Sequence, residues 1–417
     1  MKSIALLPLA FVCWHLLHAA GLVDPTARAR PRAGKHPGAI ASAAGNADIT
    51  TVSGAASDTG AATDLTPGSG FDGDVGLAMS STTRERIHSD TRKQRPGRLS
   101  ADASRQAAQN GLPAPDGMVL IPAGSFIMGD TIGDGWVNER PTHTVAVRAF
   151  YLDRTEVTKA RWDEVCDWAA EHGYRFDNPG FGKAPNHPVH SVNWYDAVKW
   201  CNARSEMEGL APAYYTNAAR TSVYRTGQVD VRNDCVKWST GYRLPTEAEW
   251  ERAARGGASG RRFPWGDTIS QSQANYDSSS YYRYDVSPSR GFDPIYRVGD
   301  FPYTSPVGSF APNEYGLYDL IGNVWEWCWD WYGNYRNVSQ TDPRGPASGP
   351  GRLVRGGSWN TYAWYCRLAN RDYFRPTLRD YDYGFRCVLP PSHPAVDGKR
   401  VTESPARSEA MQAHRAG

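Results

Sequence analysis

A chain of 417 residues with 46 Lys and Arg against 44 Asp and Glu has a formal net charge of +2 at neutral pH. A balance so near zero creates no field that would gather nucleic acid or an anionic membrane surface. The length allows two or three average domains, but the shifts in composition along the chain argue for one large domain.

The first residues read Met1-Lys2-Ser3, an apolar run from Ile4 to Leu17, then Ala19-Ala20-Gly21. One positive charge, a short apolar core and small residues at its end predict a signal peptide over 1–20, hence a periplasmic or secreted protein. The run is too short to cross a bilayer, so no membrane span is expected. Cys13 lies inside the run rather than behind a small-residue cleavage site, which argues against a lipid anchor. Residues 21–115 are dominated by Ala, Gly, Ser, Thr, Asp and Arg, with almost no aromatics. Such a stretch buries too little apolar surface to offset its ordering entropy and reads as a disordered spacer.

The character changes at residue 116. Nearly all of the 15 Trp and 22 Tyr fall between Met118 and Leu389, mixed with Gly and Pro. Rings and turn residues in that proportion predict an irregular, loop-heavy domain over 116–390, cored by large aromatics, followed by a flexible tail over 391–417. Met118 to Gly129 reads as two short strands joined by Pro122-Ala123-Gly124 into a hairpin. Thr144 to Phe150 alternates with the period of a half-buried strand. Thr158 is placed to cap a helix over Lys159–Ala170, and a second helix follows Asn193 from Tyr195 to Met207. The insertion 209–239 holds alternating Thr, Val and Tyr that fit a small hairpin. Thr246-Glu247-Ala248-Glu249 is a capping box for a helix ending at Gly256-Gly257. Trp325, Trp327, Trp329 and Trp331 alternate with Glu326, Cys328 and Asp330, which sets the rings on one side of a strand as core.

Three blocks then stand out in order: Gly241-Tyr242-Arg243-Leu244-Pro245-Thr246-Glu247, Gly316 to Trp327 (Gly-Leu-Tyr-Asp-Leu-Ile-Gly-Asn-Val-Trp-Glu-Trp), and Arg355-Gly356-Gly357-Ser358-Trp359 with Gly384-Phe385-Arg386-Cys387. Together they resemble the formylglycine-generating-enzyme, or sulfatase-modifying-factor, family over about 116–390. The resemblance implies an α+β, loop-rich, C-type-lectin-like fold with two main helices and short antiparallel strands. It also implies an oxidoreductase acting on a peptide or peptide-derived substrate. Family members that oxidise a sulfatase cysteine carry two cysteines after Gly-Gly-Ser, whose thiolates can hold copper. Here Thr361 falls at the first position and Cys366 near the second, so copper is not expected. Cys366, Ser358 and Trp359 are the candidate catalytic residues, with Thr361 and Tyr365 lining the groove.

Calcium, in a structural role, is the cofactor that the resemblance implies. One site maps onto Asp319, Gly322, Val324 and Glu326, where two carboxylates and intervening carbonyls supply hard oxygens. A second maps onto Asn275, Tyr276 and Asp300. Six cysteines remain after the signal peptide, an even count that favours disulfides in an exported chain and leaves the pairing open. The family implies Cys201 with Cys387, then Cys328 with Cys366 and Cys166 with Cys235. His187, His190 and His143 could be taken for a zinc or iron set, but in the family the His-Pro-Val segment is a structural turn. Glu249 and Glu251 read as helix-capping and helix-face carboxylates rather than catalytic ones. Two functions follow: the oxidoreductase without paired cysteines, or a non-catalytic, calcium-stabilised, lectin-like module binding peptide or surface partners through loops such as 209–239.

Overall fold

The computed structural model describes residues 114–391. The expected signal peptide, nearly all of the spacer and all but the first residue of the tail lie outside the described residues. Among the described residues no helix is long and apolar enough to cross a membrane.

Met118–Ile121 (β1) and Gly124–Met128 (β2) are the two opening strands. They do not form the expected hairpin. Strand β1 pairs antiparallel with Phe150–Asp153 (β4), Met118 opposite Asp153. Strand β2 pairs with His143–Val147 (β3), Met128 opposite His143. Pro122, which has no N–H to donate, and Ala123 carry the chain from one sheet to the next. Each strand therefore meets its partner only after the polypeptide has returned. Val388–Leu389 (β10) covers the free edge of β4, and Gln340–Thr341 (β6) runs parallel to β3.

A four-stranded sheet supplies the wall of the domain. Its order is Asp372–Phe374 (β8), Arg352–Arg355 (β7), Trp325–Trp331 (β5) and Tyr383–Gly384 (β9). The predicted alternation of β5 is real, but it does not separate core from solvent. Trp325, Trp327 and Trp329 enter one apolar cluster, with Trp162, Trp194, Trp200 and Phe385. Cys328, on the other side, enters a second cluster with Ile121, Val145, Trp250 and Leu353. Both faces are buried because β5 divides two cores. Each large side chain so buried contributes about 1.5–3 kcal/mol.

The helices are Lys159–Glu171 (α1), Trp194–Met207 (α2) and Glu247–Ala254 (α3). The caps of α1 and α3 are those the sequence predicts; α2 starts one residue earlier than predicted and is capped by Asn193. Thr158 accepts the Arg161 N–H at 3.2 Å, and Asn193 accepts that of Asp196 at 2.8 Å. Thr246 and Glu249 close a reciprocal box at 3.2 and 2.9 Å. Helix α2 departs from a one-faced amphipathic pattern, since twelve of its fourteen residues are buried. Its polar members are paired in place, Lys199 with Asp196 at 3.1 Å and Arg204 with Asp153 at 2.9 Å. The insertion 209–239 forms only a minimal antiparallel hairpin: Tyr215 bridges Val223, the Thr216 N–H donates to the Ser222 carbonyl at 2.9 Å and the Tyr224 N–H to the Tyr214 carbonyl at 3.1 Å, while a further bridge joins Tyr214 to Val236 and a short 3-10 turn spans Asn233–Cys235. The result is an α+β body of short strands and long loops.

Candidate functional site

Helix α3 and strand β7 fix the Gly-Gly-Ser turn. Arg355, fully buried at the end of β7, donates to Glu251 of α3 at 2.5 Å and to the Leu368 carbonyl at 2.8 Å. Gly357 has φ +76°, and a Cβ there would meet Cys366 Sγ at 2.8 Å and Thr361 Oγ1 at 3.2 Å. Glycine is required for the conformation and for the close approach. The turn is tied off locally: the Ser358 N–H donates to Thr361 Oγ1 at 2.8 Å, and Thr361 Oγ1 donates to the Ser358 carbonyl at 3.1 Å. The Trp359 N–H donates to the Asn323 carbonyl at 2.9 Å.

Ser358, Trp359, Thr361 and Cys366 are therefore together, as the motif predicts, but all four are buried, with at most 2% of their surface exposed. Thr361 shares a side-chain hydrogen bond with Cys366, yet burial pushes the thiol well above the ordinary cysteine value. A protonated, enclosed thiol is neither a nucleophile nor a ready metal ligand. Tyr365 is half-buried and packs edge-on to Trp325 with ring centres 6.1 Å apart. Trp359 is ringed by Phe292, Phe301, Tyr303 and Tyr381 at 5.4–5.7 Å between centroids. Its indole N–H is buried without a partner among the described residues. Of this ring cluster, Phe301 is 60% exposed, so its accessible face is Phe301 and the half-buried Tyr381, with Trp359 beneath.

Asp382 completes the turn and has no signature in the motifs. It accepts a hydrogen bond from Ser358 Oγ at 2.7 Å. Burial, then Asp380, push its carboxyl up to about 7, while the Ser358 hydrogen bond opposes the shift. A carboxyl near neutrality can hold or release a proton at working pH.

The first calcium set is only partly available. Both oxygens of Glu326 are spent: Arg386 donates to them at 2.8 and 2.7 Å, and Trp250 Nε1 donates at 2.8 Å. Asp319 accepts the Gly308 N–H through Oδ2 at 2.5 Å and keeps Oδ1 buried and unpartnered. Gly322 packs on the Asn275 backbone, and Val324 is buried. Glu156, read from the sequence only as the lead-in to α1, joins this group. Its Oε1 accepts from Asn323 at 3.0 Å, and its Oε2 is buried without a partner among the described residues. Burial, then Asp319, hold Glu156 well above the usual carboxyl value; burial pushes Asp319 up to about 6. Three carboxylates thus face one arginine, and two orphaned oxygens suit a hard cation, with Glu156 in the place assigned to Glu326. At the second set, Asn275 donates to the Tyr303 carbonyl at 2.8 Å and the Tyr276 carbonyl, the atom the resemblance implies, accepts from Gln271 Nε2 at 3.3 Å, whereas Asp300 is exposed. Among the described residues no group of three His, Cys, Asp or Glu side chains is arranged to hold a metal.

The six cysteines among the described residues are free thiols. Cys201 and Cys387 face each other with sulfurs 3.6 Å apart. The other expected partners do not meet this way: Cys328 contacts the Glu326 carbonyl at 3.9 Å and Cys235 contacts Asp234 at 3.4 Å, while Cys166 lies half-buried against the first apolar cluster. His187 bonds Thr304 at 2.9 Å, His190 bonds Ser191 at 3.0 Å, and His143 lies against the Tyr335 ring. These are structural histidines. Glu249 and Glu251 hold Arg243 and Arg255.

Residues 103–390 match the sulfatase-modifying factor enzyme 1-like domain, a match that begins 13 residues before the expected boundary at 116. The chain is 35% identical over 301 residues to a formylglycine-generating enzyme of Streptomyces coelicolor, covering 65% of this chain and 88% of that one. It is 33% identical to the mouse formylglycine-generating enzyme, covering 65% of this chain and 74% of that one. Among solved structures it is similar to Treponema denticola variable protein 1, with TM-score 0.50 and 32% identity over 66% of this chain and 95% of that one. The chain belongs to the sulfatase-modifying-factor family, that of the formylglycine-generating enzymes.

Proposed function

We propose that this chain is an exported, calcium-stabilised member of the family that binds a peptide or protein ligand and does not carry out two-thiol copper oxidation. One observation carries the reading: Cys366 is sealed from solvent, burial raises its thiol well above the ordinary value, and its neighbour is the Thr361 hydroxyl, which bonds the Ser358 backbone. Copper(I) selects soft sulfur ligands, and a hydroxyl is a poor substitute for the second of them. The ligand surface is Phe301 and Tyr381 over Trp359, rings that offer large contact area at little entropic cost. Calcium is supported by the orphaned oxygens of Asp319 and Glu156.

The test is to incubate the chain with copper(I), oxygen and a cysteine peptide from a sulfatase, then probe for aldehyde with a hydrazide reagent. No aldehyde is expected; its formation at a rate above the peptide alone would overturn the reading. The second reading, an oxidoreductase without paired cysteines, is favoured by Asp382, whose carboxyl near neutrality lies against Ser358. That chemistry would be abolished in Asp382→Asn while peptide binding survived.

A further inference from the structure

We propose that a cleft remote from the Gly-Gly-Ser turn, formed around Arg344 and Lys237, binds a tetrahedral oxyanion, sulfate or phosphate, free or as a monoester. The cleft has a volume of about 740 Å³. It is bounded by the start of β4, the segment leading into α3, the loop after β6 and Pro390-Pro391. It shares no lining residue with the Ser358–Cys366 turn.

Its charge is unbalanced. Arg148, Arg220, Lys237, Arg243 and Arg344 line it against only Glu249 and Asp342. Both carboxylates are already engaged. Glu249 takes two hydrogen bonds from Arg243 at 2.7 and 2.6 Å and one from the Thr246 N–H at 2.9 Å. Asp342 is paired with Arg148 at 2.8 Å and accepts its backbone N–H at 2.8 Å. Arg220, Lys237 and Arg344 have no acidic partner within ion-pair distance among the described residues.

Arg344 is the most exacting of the three. Its guanidinium lies 4.2 Å over the Trp238 ring, and Arg243 lies 5.2 Å over the same ring. Two like charges share one indole in a half-buried cleft, and burial followed by Arg243 draws Arg344 below the usual arginine value. Lys237 sits 4.6 Å over Tyr215. Cations held on rings keep their geometry when an anion arrives, so less freedom is lost on binding, and a guanidinium fork fits two oxygens of a sulfate or phosphate. A single carboxylate would neutralise one of three uncompensated cations. A doubly charged oxyanion answers the deficit better.

Isothermal calorimetry on the full chain tests this, at fixed ionic strength, with chloride as reference and inorganic sulfate and phosphate as probes. Glucose 6-sulfate and glucose 6-phosphate form further arms: binding by the free ions alone assigns the site to an inorganic anion, and tighter binding by an ester assigns it to an esterified ligand. Saturable binding of an oxyanion that chloride does not compete away is the expected result. Arg344→Gln and Lys237→Gln should each weaken it at least about tenfold, as loss of a charge-assisted hydrogen bond does, with unfolding in chloride unchanged. No saturable heat beyond chloride, or undiminished binding in folded Lys237→Gln, would overturn the proposal.

Discussion

Arg386 grips Glu326 with two hydrogen bonds, Nε to Oε2 at 2.8 Å and Nη2 to Oε1 at 2.7 Å, and neither side chain reaches solvent. The pair pins the Gly-Phe-Arg-Cys segment to β5, next to the turn that carries Ser358. Removing one partner leaves the other charged and buried, which costs about 3–5 kcal/mol. Glu326→Gln and Arg386→Met should each lower the unfolding free energy measured by urea titration by that amount, and the Glu326→Leu/Arg386→Met double variant should lose less than the two singles added. Additive losses would mean that the two side chains act independently.

Beside this pair, Asp319 and Glu156 each hold one buried oxygen without a partner. A cation that bridged both would relieve them and would stabilise the folded chain by about 2.7 kcal/mol at a hundredfold excess over its dissociation constant. Calcium should therefore raise the unfolding midpoint of the native chain and chelator should lower it. In Glu156→Gln the calcium response should shrink or vanish. A full response in that variant would assign the ion to other donors.

Asp330 is buried, and burial followed by Glu247 pushes its carboxyl up to about 8. The unfolded carboxyl titrates near about 4, so the folded state holds more protons between the two values. Stability from this group is complete below about pH 4 and is lost as pH rises to about 8. His190, pushed down to about 4 mainly by burial, acts in the opposite direction below about pH 6.5. Between about 6.5 and 8 Asp382, pushed up to about 7, and Glu156, held well above the usual carboxyl value, act in the same direction as Asp330, so a variant rather than the pH range assigns the effect. Asp330→Asn keeps an oxygen for the Glu247 N–H, bonded at 2.9 Å, and should flatten the stability curve there. An unchanged slope would place the titration elsewhere.

Cys201 and Cys387 face each other across 3.6 Å, on α2 and just before β10. Under oxidising conditions they should form a crosslink detectable as a linked peptide pair by mass spectrometry. Closing so long a loop stabilises by about 2–4 kcal/mol in typical cases. Cys201→Ser should then lose that increment only against oxidised protein. A peptide map joining either sulfur to another cysteine would refute the pairing.

Local signals in the sequence held where one segment decides the outcome. Thr158 and Thr246 cap their helices as read because a cap needs only its own side chain and the next turn. The ordered motifs likewise brought Ser358, Thr361 and Cys366 together at one turn. What failed depended on partners far along the chain. Strands β1 and β2 look like a hairpin until the return of β3 and β4 gives each a different neighbour. Glu326 looks like a calcium ligand until Arg386, sixty residues later, occupies it. Asp382 and Glu156 became visible only through Ser358 and Asn323, the side chains they accept from.

Thr361 and Cys366 offer the sharpest test of the reading that this site does not bind copper. The Thr361 side chain already hydrogen-bonds the Cys366 thiol, and both flank the Cβ position of Gly357. Thr361→Cys therefore places a second sulfur against the first without moving the backbone. Two adjacent thiols hold copper(I) far better than one, because the ion prefers paired soft donors and binding itself drives off the protons that burial retains. Cys201 and Cys387 already pair two thiols in the native chain, so the readout is the difference: against a chromogenic chelator under reducing conditions, the variant should take up one equivalent of copper(I) more than the native chain. Thr361 also gives a hydrogen bond to the Ser358 carbonyl, so the variant should lose about 1 kcal/mol of stability. Copper(I) should restore it. Uptake equal to that of the native chain would show that burial, rather than the missing sulfur, is what closes this site to metal.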